Sequence, residues 1–471
     1  MPDLADPAPA VVAPRALPSD ALLARIQGPG PRYTSYPTAD RFGDFDEHGV
    51  ERLLAARRAD PAAGPLSVYV HVPFCESVCY YCACNKIITK HHERGLPYVR
   101  ALVRELGLVA ARLGPRRTVT QLHFGGGSPT FLSDHELARL MATLRRVLDV
   151  TPDAEISIEV DPRTVTPQRL AHLRAQGFNR LSFGVQDFDP DVQQAVHRVQ
   201  SFESVRDLMA AARALGYRSI NVDLIYGLPR QTAASFARTI AQVAGLRPDR
   251  IALYAYAHLP ERFKPQRRIH ADELPGGPAR VAMLGTAMAG FQAEGYAYIG
   301  MDHFALPDDS LAVAQREGRL QRNFQGYSTQ PDCDLVALGV SAIGRIGDGY
   351  YQNAKTLPEY EEALARRRLP VVRGLVLDAD DQVRRHMIMT LMCTGRLDFD
   401  EVARRFGVDV RSAYDAELTR LAPLCADGFV RLHESAVEVT ALGWYVVRAV
   451  AMVFDRHLGQ GVERVRFSRL V

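Results

Sequence analysis

From residue 66 onward, short apolar segments alternate with helix-like segments, and this alternation constrains the fold more than any other feature. Six apolar segments predict strands, and YAYIGM from Tyr296 is a candidate for a seventh. The six are LSVYVHV from Leu66, TVTQLHF from Thr118, EISIEV from Glu155, RLSFGV from Arg180, SINVDLIYG from Ser219 and RIALYAYA from Arg250. Strands and helices that alternate with a repeat of roughly 30 residues predict an α/β fold with a parallel sheet, closed or partly closed.

The segments between the predicted strands carry signals for helix ends. Ser133 and Glu136 have the spacing of a capping box at a helix start. Gly177, Gly216 and Gly295 stand where helices are expected to end, and glycine is the usual residue just past a helix C-terminus. These signals support the helical interpretation of the segments.

Polar and small residues gather where the predicted strands end. They are the cysteines after the first strand, Gly125–Gly127 after the second, and then Glu159, Gln186, Asp223 and Tyr256. Barrel enzymes carry their chemistry on the face formed by the carboxyl ends of the strands. We therefore expect the functional site on that face.

Charge and hydropathy exclude several classes of partner. Lys and Arg total 57 against 54 Asp and Glu, a net charge of +3 in 471 residues, which gives no field for wrapping nucleic acid or holding a membrane surface. We found no long apolar run suited to a membrane span and no secretory signal at the start. The expectation is a cytoplasmic protein that binds neither nucleic acid nor membrane.

Changes in composition divide the chain into four predicted parts. Residues 1–20 are rich in Ala and Pro and predict a disordered tail. Residues 21–50 contain GPGPRYTSYPTADRF, which predicts an N-terminal arm over the active site. Residues 51–370 hold the strand and helix repeat, and residues 371–471 predict a mostly helical C-terminal domain.

The C-terminal part combines helices with one predicted hairpin. DDQVRRHMIMTLM and FDEVARRFG predict helices, and GFVRLHESAVEVT predicts the hairpin, so the module is expected to be winged-helix-like. DNA binding is a possible role of such a module, but Glu434 and Glu438 lie in the hairpin and no basic stripe runs beside it. A packing or covering role is the preferred interpretation.

Four of the seven cysteines lie within ten residues, in the segment HVPFCESVCYYCACNK. Cys75, Cys79 and Cys82 have the spacing C-x3-C-x2-C directly after a predicted strand. Three thiolates on one loop can ligate three irons of a [4Fe–4S] cubane and leave the fourth iron open. The alternatives are structural zinc, with Cys84 as a fourth ligand, and simple buried thiols.

This loop resembles the cysteine loop of radical S-adenosylmethionine (SAM) enzymes. The resemblance implies that the open iron is chelated by the amino and carboxylate groups of the methionine moiety. It also implies that an electron from the reduced cluster breaks the sulfur–C5′ bond and releases a 5′-deoxyadenosyl radical. The protein then orients the cofactor and excludes water.

Other strand ends carry groups suited to a small polar ligand. HFGGGSPTFL follows the second strand, and its glycines allow close approach of the backbone, so Gly126 is a candidate contact. A tight turn is the alternative for this triplet, and a solvated acid is the alternative for Glu159. GVQDF, HRVQ and NVDLIYGLP add Gln186, Arg198 and Asp223.

Further segments, taken in chain order, indicate a smaller family within this superfamily. They include PRYTSYPTA, EISIEVDPR, YAHLP, IGMDHFA and GVSAIG. Residues 31 to about 470 are similar to the oxygen-independent coproporphyrinogen III oxidases of haem biosynthesis. The resemblance implies a partial (β/α)6 TIM-like radical SAM barrel.

Carried over to this chain, the family pattern implies three sets of residues. The cluster ligands are Cys75, Cys79 and Cys82. The contacts of the cluster-bound SAM are Tyr69, Gly126, Glu159 and Ile343. The contacts of a second SAM are Tyr81, Gly127, Ser128, Gln186, Arg198, Asp223 and Ala257. Tyr81 and Ser128 depart from the familiar Phe and Thr, which leaves only fine contacts in doubt.

The implied substrate is coproporphyrinogen III, whose ring A and B propionates become vinyl groups, giving protoporphyrinogen IX. Arg32 and Arg198 are candidate partners for propionates, although Arg32 could equally be a solvated surface residue. Unchanged substrate affinity and turnover in Arg32→Ala would remove that role. Tyr69, Arg32 and Cys84 are the predicted catalytic-site groups, with Cys84 not a cluster ligand. The resemblance further implies a monomer that uses an electron donor and an electron acceptor of unknown identity.

Two other functions remain open at this point. A haem chaperone of the same superfamily would share the cysteine loop and the C-terminal module. Such relatives lack PRYTSYPTA and the CAC pair of Cys82 and Cys84, which are both present here. A radical methyltransferase, or another ring-modifying enzyme, is the third candidate.

Overall fold

The fold is taken from a computed structural model of the chain. It describes residues 19, 21–22, 28, 30–301, 303–330 and 332–458. Apart from Ser19, the predicted tail over residues 1–20 lies outside the described residues.

Twenty strands and sixteen α-helices are present in the described residues. The strands are β1 (Gly43–Asp44), β2 (Leu66–Val72), β3 (Phe74–Cys75), β4 (Ile87–Ile88), β5 (Thr118–Gly126), β6 (Asp149–Val160), β7 (Arg180–Gln186), β8 (Ser219–Tyr226), β9 (Arg250–Ala255), β10 (Ala297–Gly300), β11 (His303–Ala305), β12 (Gln321–Asn323), β13 (Gly326–Ser328), β14 (Asp334–Leu338), β15 (Ile343–Ile346), β16 (Gly349–Asn353), β17 (Val371–Val376), β18 (Arg396–Asp398), β19 (Val430–Leu432) and β20 (Ala436–Val439). The α-helices are α1 (Glu47–Ala59), α2 (Gly95–Leu113), α3 (Asp134–Val147), α4 (Pro167–Ala175), α5 (Pro190–Ala195), α6 (Phe202–Ala214), α7 (Ala233–Leu246), α8 (Gly277–Ala293), α9 (Ser310–Arg316), α10 (Leu357–Ala365), α11 (Ala379–Thr394), α12 (Phe399–Phe406), α13 (Val410–Ala413), α14 (Asp415–Arg420), α15 (Ala422–Ala426) and α16 (Val447–Met452).

One sheet of 13 strands organises the protein, in the order β1-β17-β16-β15-β14-β2-β5-β6-β7-β8-β9-β11-β10. The run from β14 to β9 is parallel, and both flanks are antiparallel. The six predicted strands are β2 and β5 to β9, so the α/β prediction with a central parallel sheet is confirmed. The seventh candidate contains β10, which is an antiparallel edge strand.

The register of the parallel strands places polar residues of neighbouring strands opposite one another. Tyr69 on β2 lies opposite His123 on β5, which lies opposite Ser157 on β6. Two residues further along β6, Glu159 lies opposite Ser182 on β7. Alternate residues on a strand share a face, so these polar side chains belong to one face of the sheet.

The helix-end signals behave as the sequence predicts. The side chain of Ser133 accepts a hydrogen bond from the backbone N–H of Glu136, and the Glu136 carboxylate accepts one from the Ser133 N–H, which completes the capping box before α3. Gly177, Gly216 and Gly295 have φ of 97°, 74° and 84°, where a side chain would be strained.

The C-terminal helices and the hairpin are also confirmed. DDQVRRHMIMTLM lies in α11, FDEVARRFG contains α12, and β19 pairs with β20 in an antiparallel hairpin that β18 extends to three strands. Winged-helix topology remains a prediction. The strand β17 pairs with β16 and β1 in the main sheet, although it lies beyond residue 370.

The segment before α1 is packed against the end of the described chain. The buried Tyr33 hydroxyl donates to Oδ2 of Asp455 over 2.9 Å. The Arg456 N–H donates to the Tyr36 hydroxyl over 3.4 Å, and Nη1 of Arg448 donates to the Gly30 carbonyl over 3.3 Å. These contacts fix the segment that carries Arg32. In the described residues, no helix has both the length and the apolar character to cross a membrane.

Glu105 is a buried carboxylate in α2 that ties three elements together. Its carboxylate accepts hydrogen bonds from the Gly339 N–H over 2.7 Å, Nδ2 of Asn353 over 2.6 Å and the Tyr360 hydroxyl over 2.5 Å. We expect Glu105→Ala to lower the free energy of unfolding by on the order of 3 kcal/mol, because three buried donors lose their acceptor. Urea denaturation of the purified protein measures this.

Glu362 on α10 is exposed and pairs with Arg366, so it provides the control. Glu362→Ala should change the free energy of unfolding by less than about 0.5 kcal/mol. Burial raises the pKa of Glu105 from 4.5 to about 7. The folded state therefore binds the proton more tightly than the unfolded state, and this contribution to stability is lost as the pH rises through 7. A wild-type stability profile as flat between pH 5 and pH 8 as that of Glu105→Ala would contradict this assignment.

Candidate functional site

A cavity of about 290 Å³ lies at the carboxyl ends of the parallel strands. It brings together twelve of the residues predicted from the sequence. They are Cys75, Cys79, Tyr81, Cys82, Cys84, Gly126, Gly127, Ser128, Glu159, Gln186, Arg198 and Asp223. Residues up to 148 positions apart in the chain thus meet in one space, at the face where barrel enzymes place their chemistry.

The loop that carries the cysteines is fixed at both ends. It leaves β2 through β3 and returns as β4, and these two short strands pair in parallel with Cys75 opposite Ile88. The Ile87 N–H donates to the Pro73 carbonyl over 2.7 Å, and the Thr89 N–H donates to the Cys75 carbonyl over 2.9 Å. The loop is therefore held by backbone hydrogen bonds independently of the groups that its side chains bind.

Positively charged side chains surround one of the cysteines. Nη1 of Arg198 lies 3.4 Å from Sγ of Cys79, and Nη2 of Arg163 lies 3.5 Å from the same atom. Both arginines also bind Asp161. Two guanidinium groups therefore lie beside the sulfur of one predicted cluster ligand.

The other two cysteines differ from each other in their surroundings. Burial raises the pKa of Cys75 to about 12, although the hydroxyl of Ser128 lies 3.8 Å from its sulfur. A hydrogen bond with Cys84 and the ammonium group of Lys86 lower the pKa of Cys82 to about 6. The Lys86 ammonium also donates to the Cys82 carbonyl over 3.1 Å.

This donor set fits a [4Fe–4S] cluster. Each cysteine of a cubane binds a different iron, so three sulfurs that line one cavity suffice and do not have to meet at a point. In the part of the chain that the structure describes, no three Cys, His, Asp or Glu side chains are placed as ligands of a single metal ion. Cys84 is exposed and also lines the cavity.

The end of β5 passes very close to the cysteine loop. The Gly127 N–H donates to the Val72 carbonyl over 2.8 Å, and a Cβ atom at Gly127 would lie 2.7 Å from the Pro73 carbonyl oxygen. Gly126 has φ of 116°, and a Cβ atom there would lie 2.6 Å from the His71 ring. Only glycine allows this close approach. A tight turn and a backbone that binds a ligand both require glycine here.

Glu159 is positioned by neighbours on β5. Nε2 of His123 lies 3.4 Å from its Oε1 atom, and the Gly126 N–H donates to Oε2 over 3.1 Å. Burial alone would raise the pKa of Glu159, but His123 and the Gly126 N–H outweigh burial and hold the pKa below its usual value. The side chain is 42% exposed, so an ionised carboxylate faces the cavity.

Asp223 is another carboxylate that lines the cavity. The Ser182 hydroxyl donates to its Oδ2 atom over 3.0 Å, and Nδ2 of Asn221 donates to Oδ1 over 2.8 Å. Burial, followed by the charge of Glu159, raises the pKa of Asp223 to about 6. Glu159 and Asp223, whose pKa values are shifted in opposite directions, therefore line the same cavity.

Four predicted site residues do not line this cavity. The Tyr69 hydroxyl lies 3.1 Å from Nδ1 of His71, and its ring stacks on His123. Arg32 lies over the ring of Tyr254, which does line the cavity. Ala257 follows the end of β9, and Ile343 on β15 packs beside an apolar cluster around Phe42 and Tyr350.

Several residues of the site were missed by sequence reasoning. His123 lies in the quoted segment HFGGGSPTFL, and Asp161 and Arg163 lie in EISIEVDPR, just after the end of β6. A search of every polar residue after each strand would have found them. Tyr254 lies within a predicted strand that reads as uniformly apolar or aromatic, so nothing in the sequence marks it as a cavity residue.

Two family models match separate parts of the chain. Residues 69–243 match the family model of the Radical SAM superfamily. Residues 377–446 match the HemN C-terminal domain. The second match begins directly after β17, where the main sheet ends.

Three relatives match along nearly the whole chain. The oxygen-independent coproporphyrinogen III oxidase of Pseudomonas aeruginosa is 51% identical over 457 residues, which are 96% of this chain and 98% of that protein. The Escherichia coli protein of the same name is 46% identical over 451 residues, again 96% and 98%. The solved structure described as coproporphyrinogen III oxidase (HemN) from Escherichia coli, a radical SAM enzyme, gives a TM-score of 0.89 at 45% identity and covers 94% of this chain and 100% of that one.

Proposed function

The chain belongs to the oxygen-independent coproporphyrinogen III oxidases, a family of radical SAM enzymes, and on this premise we propose that it decarboxylates coproporphyrinogen III in haem biosynthesis. Its reaction converts the propionates of rings A and B to vinyl groups and yields protoporphyrinogen IX. For each propionate, one hydrogen atom, one electron and one carbon dioxide leave the substrate. The electron goes to an acceptor, and the cluster takes its electron from a donor, both of unknown identity.

The observation that carries this function is the placement of Cys75, Cys79 and Cys82 around a cavity that Glu159 and Asp223 also line. When bound, the [4Fe–4S] cluster and SAM supply a 5′-deoxyadenosyl radical, which removes a hydrogen atom that no side chain could take as a proton. The chain's own contribution is to hold the cysteine loop, to orient the bound groups and to exclude water.

The cavity continues away from the cysteines. A neighbouring cavity of about 150 Å³ shares Glu159, Ser182, Asp223 and Tyr254 with the cysteine cavity. Part of a bulky substrate can therefore enter the second space while another part reaches the first. The cysteine cavity is then left to the cofactor and the reacting propionate.

For the cluster-bound SAM, the carboxylate of Glu159 and the backbone of Gly126 are our proposed contacts, because both face the cavity beside the cysteine loop. Tyr69 acts behind them by packing against His123, which holds Glu159. Ile343 is proposed as an apolar contact from β15. A carboxylate and backbone polar groups suit the ribose hydroxyls and the ammonium group of SAM.

We propose that a second SAM lies against Gln186, Arg198 and Asp223. Gln186 has φ of 71°, which is uncommon for a residue with a side chain and suits a position where that side chain is needed. Tyr81, Gly127 and Ser128 line the same cavity, and Ala257 lies just beyond it.

Gln186→Gly is expected to lower the number of SAM molecules bound per chain from two to one. Glycine removes the amide group and fits the backbone conformation, so the fold should be unaffected. Anoxic equilibrium dialysis of the reconstituted protein with labelled SAM measures the stoichiometry. Gly216→Ala is the control, because it tests whether strain at a residue of positive φ changes SAM binding in general. A wild-type stoichiometry of one would overturn the second site.

The function is tested under anoxic conditions with reconstituted protein, dithionite, SAM and coproporphyrinogen III. The expected products are the vinyl-bearing porphyrinogen and 5′-deoxyadenosine. Vinyl product without the nucleoside would overturn the radical mechanism, and absence of both would overturn the function. Titration with haem tests the chaperone alternative, since tight stoichiometric binding would favour it. We also propose that the protein is cytoplasmic and acts as a monomer. Its sedimentation tests the monomeric state.

A further inference from the structure

Two arginines from distant parts of the chain meet beside the second cavity. Nη2 of Arg322, on β12, donates to the backbone carbonyl of Arg32 over 3.3 Å. Arg322 lies over the ring of Tyr327, 4.7 Å from its centroid, and Arg32 lies over the ring of Tyr254, 5.4 Å from its centroid. Arg322 is only 5% exposed. The aromatic rings hold both guanidinium groups in fixed positions.

Neither guanidinium is paired with a carboxylate among the residues that the structure describes. Nη2 of Arg32, and Nε and Nη1 of Arg322, are buried and make no hydrogen bond. The neighbouring Arg250 shows the usual arrangement, because its Nε lies 2.7 Å from Oδ1 of Asp309. The unpaired state is thus a property of Arg32 and Arg322 and not of the region.

Three carboxylates line the second cavity, but none of them pairs with Arg32 or Arg322; they are Glu155, Glu159 and Asp223. Burial, followed by the charge of Arg32, holds the pKa of Arg322 below its usual value. Burial and the charge of Arg322 lower the pKa of His303 to about 3, so this ring is neutral. Two positive charges therefore lie together without a carboxylate partner, that of Arg322 buried and that of Arg32 partly buried. Burying a charge without a partner destabilises a fold. A fold retains such a charge where a ligand supplies the partner.

The position of Arg32 and Arg322 indicates which ligand they bind. Tyr254 lines both cavities, and Tyr327 and His303 line the second one. An anion held here would belong to a molecule that fills the second cavity and extends toward the cysteines. Guanidinium groups bind carboxylates through paired hydrogen bonds.

We propose that Arg322 and Arg32 together bind one propionate carboxylate of the tetrapyrrole, a propionate other than the one presented to the cysteine cavity. The proposal rests on the proposed function. The substrate carboxylate supplies the missing counterion, and the site is complete only when the arm segment is docked, since Arg32 lies beside Tyr33, which binds Asp455. Substrate binding and arm docking are therefore linked.

Binding to the full-length reconstituted protein is the test, with coproporphyrin III, the fluorescent oxidised form of the substrate, as the probe. Arg322→Gln should weaken its binding by about tenfold or more, because a charge-assisted contact is lost. Arg32→Gln should act in the same direction, and Arg322→Lys should fall between wild type and Arg322→Gln. Binding of the tetramethyl ester of coproporphyrin III, which has no carboxylates, should be equal in wild type and Arg322→Gln.

Thermal unfolding without porphyrin separates this role from a structural one. Arg322→Gln should unfold at the same temperature as wild type or higher, because it removes an unpaired buried charge, whereas Arg250→Gln should unfold at a lower temperature. The exposed Arg206→Gln serves as the binding control. Equal affinity of wild type and Arg322→Gln for coproporphyrin III, or a loss of stability as large as that of Arg250→Gln, overturns the proposal. A wild-type protein that binds the porphyrin through Arg322 yet forms no vinyl product would instead overturn the proposed function alone.

Discussion

Cys79→Ser is expected to abolish formation of vinyl product and of 5′-deoxyadenosine. Sγ of Cys79 lines the cavity and lies 3.5 Å from Nη2 of Arg163 and 3.4 Å from Nη1 of Arg198. A serine hydroxyl remains protonated at neutral pH and is a poor ligand for iron, so one corner of the cubane loses its attachment. Iron and sulfide analysis after anoxic reconstitution, together with Mössbauer spectroscopy, measures the loss directly.

Two further cysteines serve as controls for this prediction. Cys84 lines the same cavity but is not a proposed ligand, and Cys84→Ser should retain the full iron and sulfide content. Cys425, on α15, lies far from the cysteine loop in sequence and is only partly buried, so Cys425→Ser should retain both cluster and activity. Zinc in place of iron and sulfide in the wild-type protein would refute the cluster itself. Loss of the cluster in Cys84→Ser would make that residue a ligand.

Gly127→Ala should lower turnover on the order of a hundredfold, since small displacements of reacting groups have effects of that size. A Cβ atom at this position would lie 2.7 Å from the Pro73 carbonyl oxygen and 2.8 Å from the Phe74 carbonyl oxygen. Both are backbone atoms, which cannot rotate away. Either β5 or the start of the cysteine loop must shift, which moves Cys75 relative to the end of β5. Turnover and cluster content, measured on the same preparation, show the effect.

Gly107→Ala is the matched control. Gly107 lies in α2, and a Cβ atom added there would have no neighbour within 4 Å, so alanine should be neutral or should stabilise the protein by up to about 1 kcal/mol. Wild-type turnover in Gly127→Ala would show that the contact between β5 and the loop is not needed. A similar loss in Gly107→Ala would point to general sensitivity of the fold.

The unpaired arginines change how the N-terminal arm is understood. Sequence reasoning places Arg32 near the substrate because the arm carries PRYTSYPTA, but it does not identify the partner that completes the subsite. Arg322 supplies that partner from a segment 290 residues away. A carboxylate bound between them would hold the arm to the barrel, so limited proteolysis of the arm should slow when coproporphyrin III is bound.

The sequence by itself determined the parallel strands, the helix ends and the three-cysteine loop. These features depend on residues near one another in the chain, where apolar periodicity, capping residues and ligand spacing act directly. Glu159 and Asp223 were also found, because Glu159 lies near the end of one predicted strand and Asp223 is an acidic residue within another.

Only the tertiary structure decided which of these groups share a cavity and what surrounds them. The hydrogen bond from Gly126 to Glu159 and the contacts of Arg163 and Arg198 with Cys79 join segments that are distant in the chain, and no local pattern encodes them. Arg322 lies in a segment without a recognisable motif. Its importance comes from being buried without a counterion, and burial and pairing are set by the packing of the whole chain.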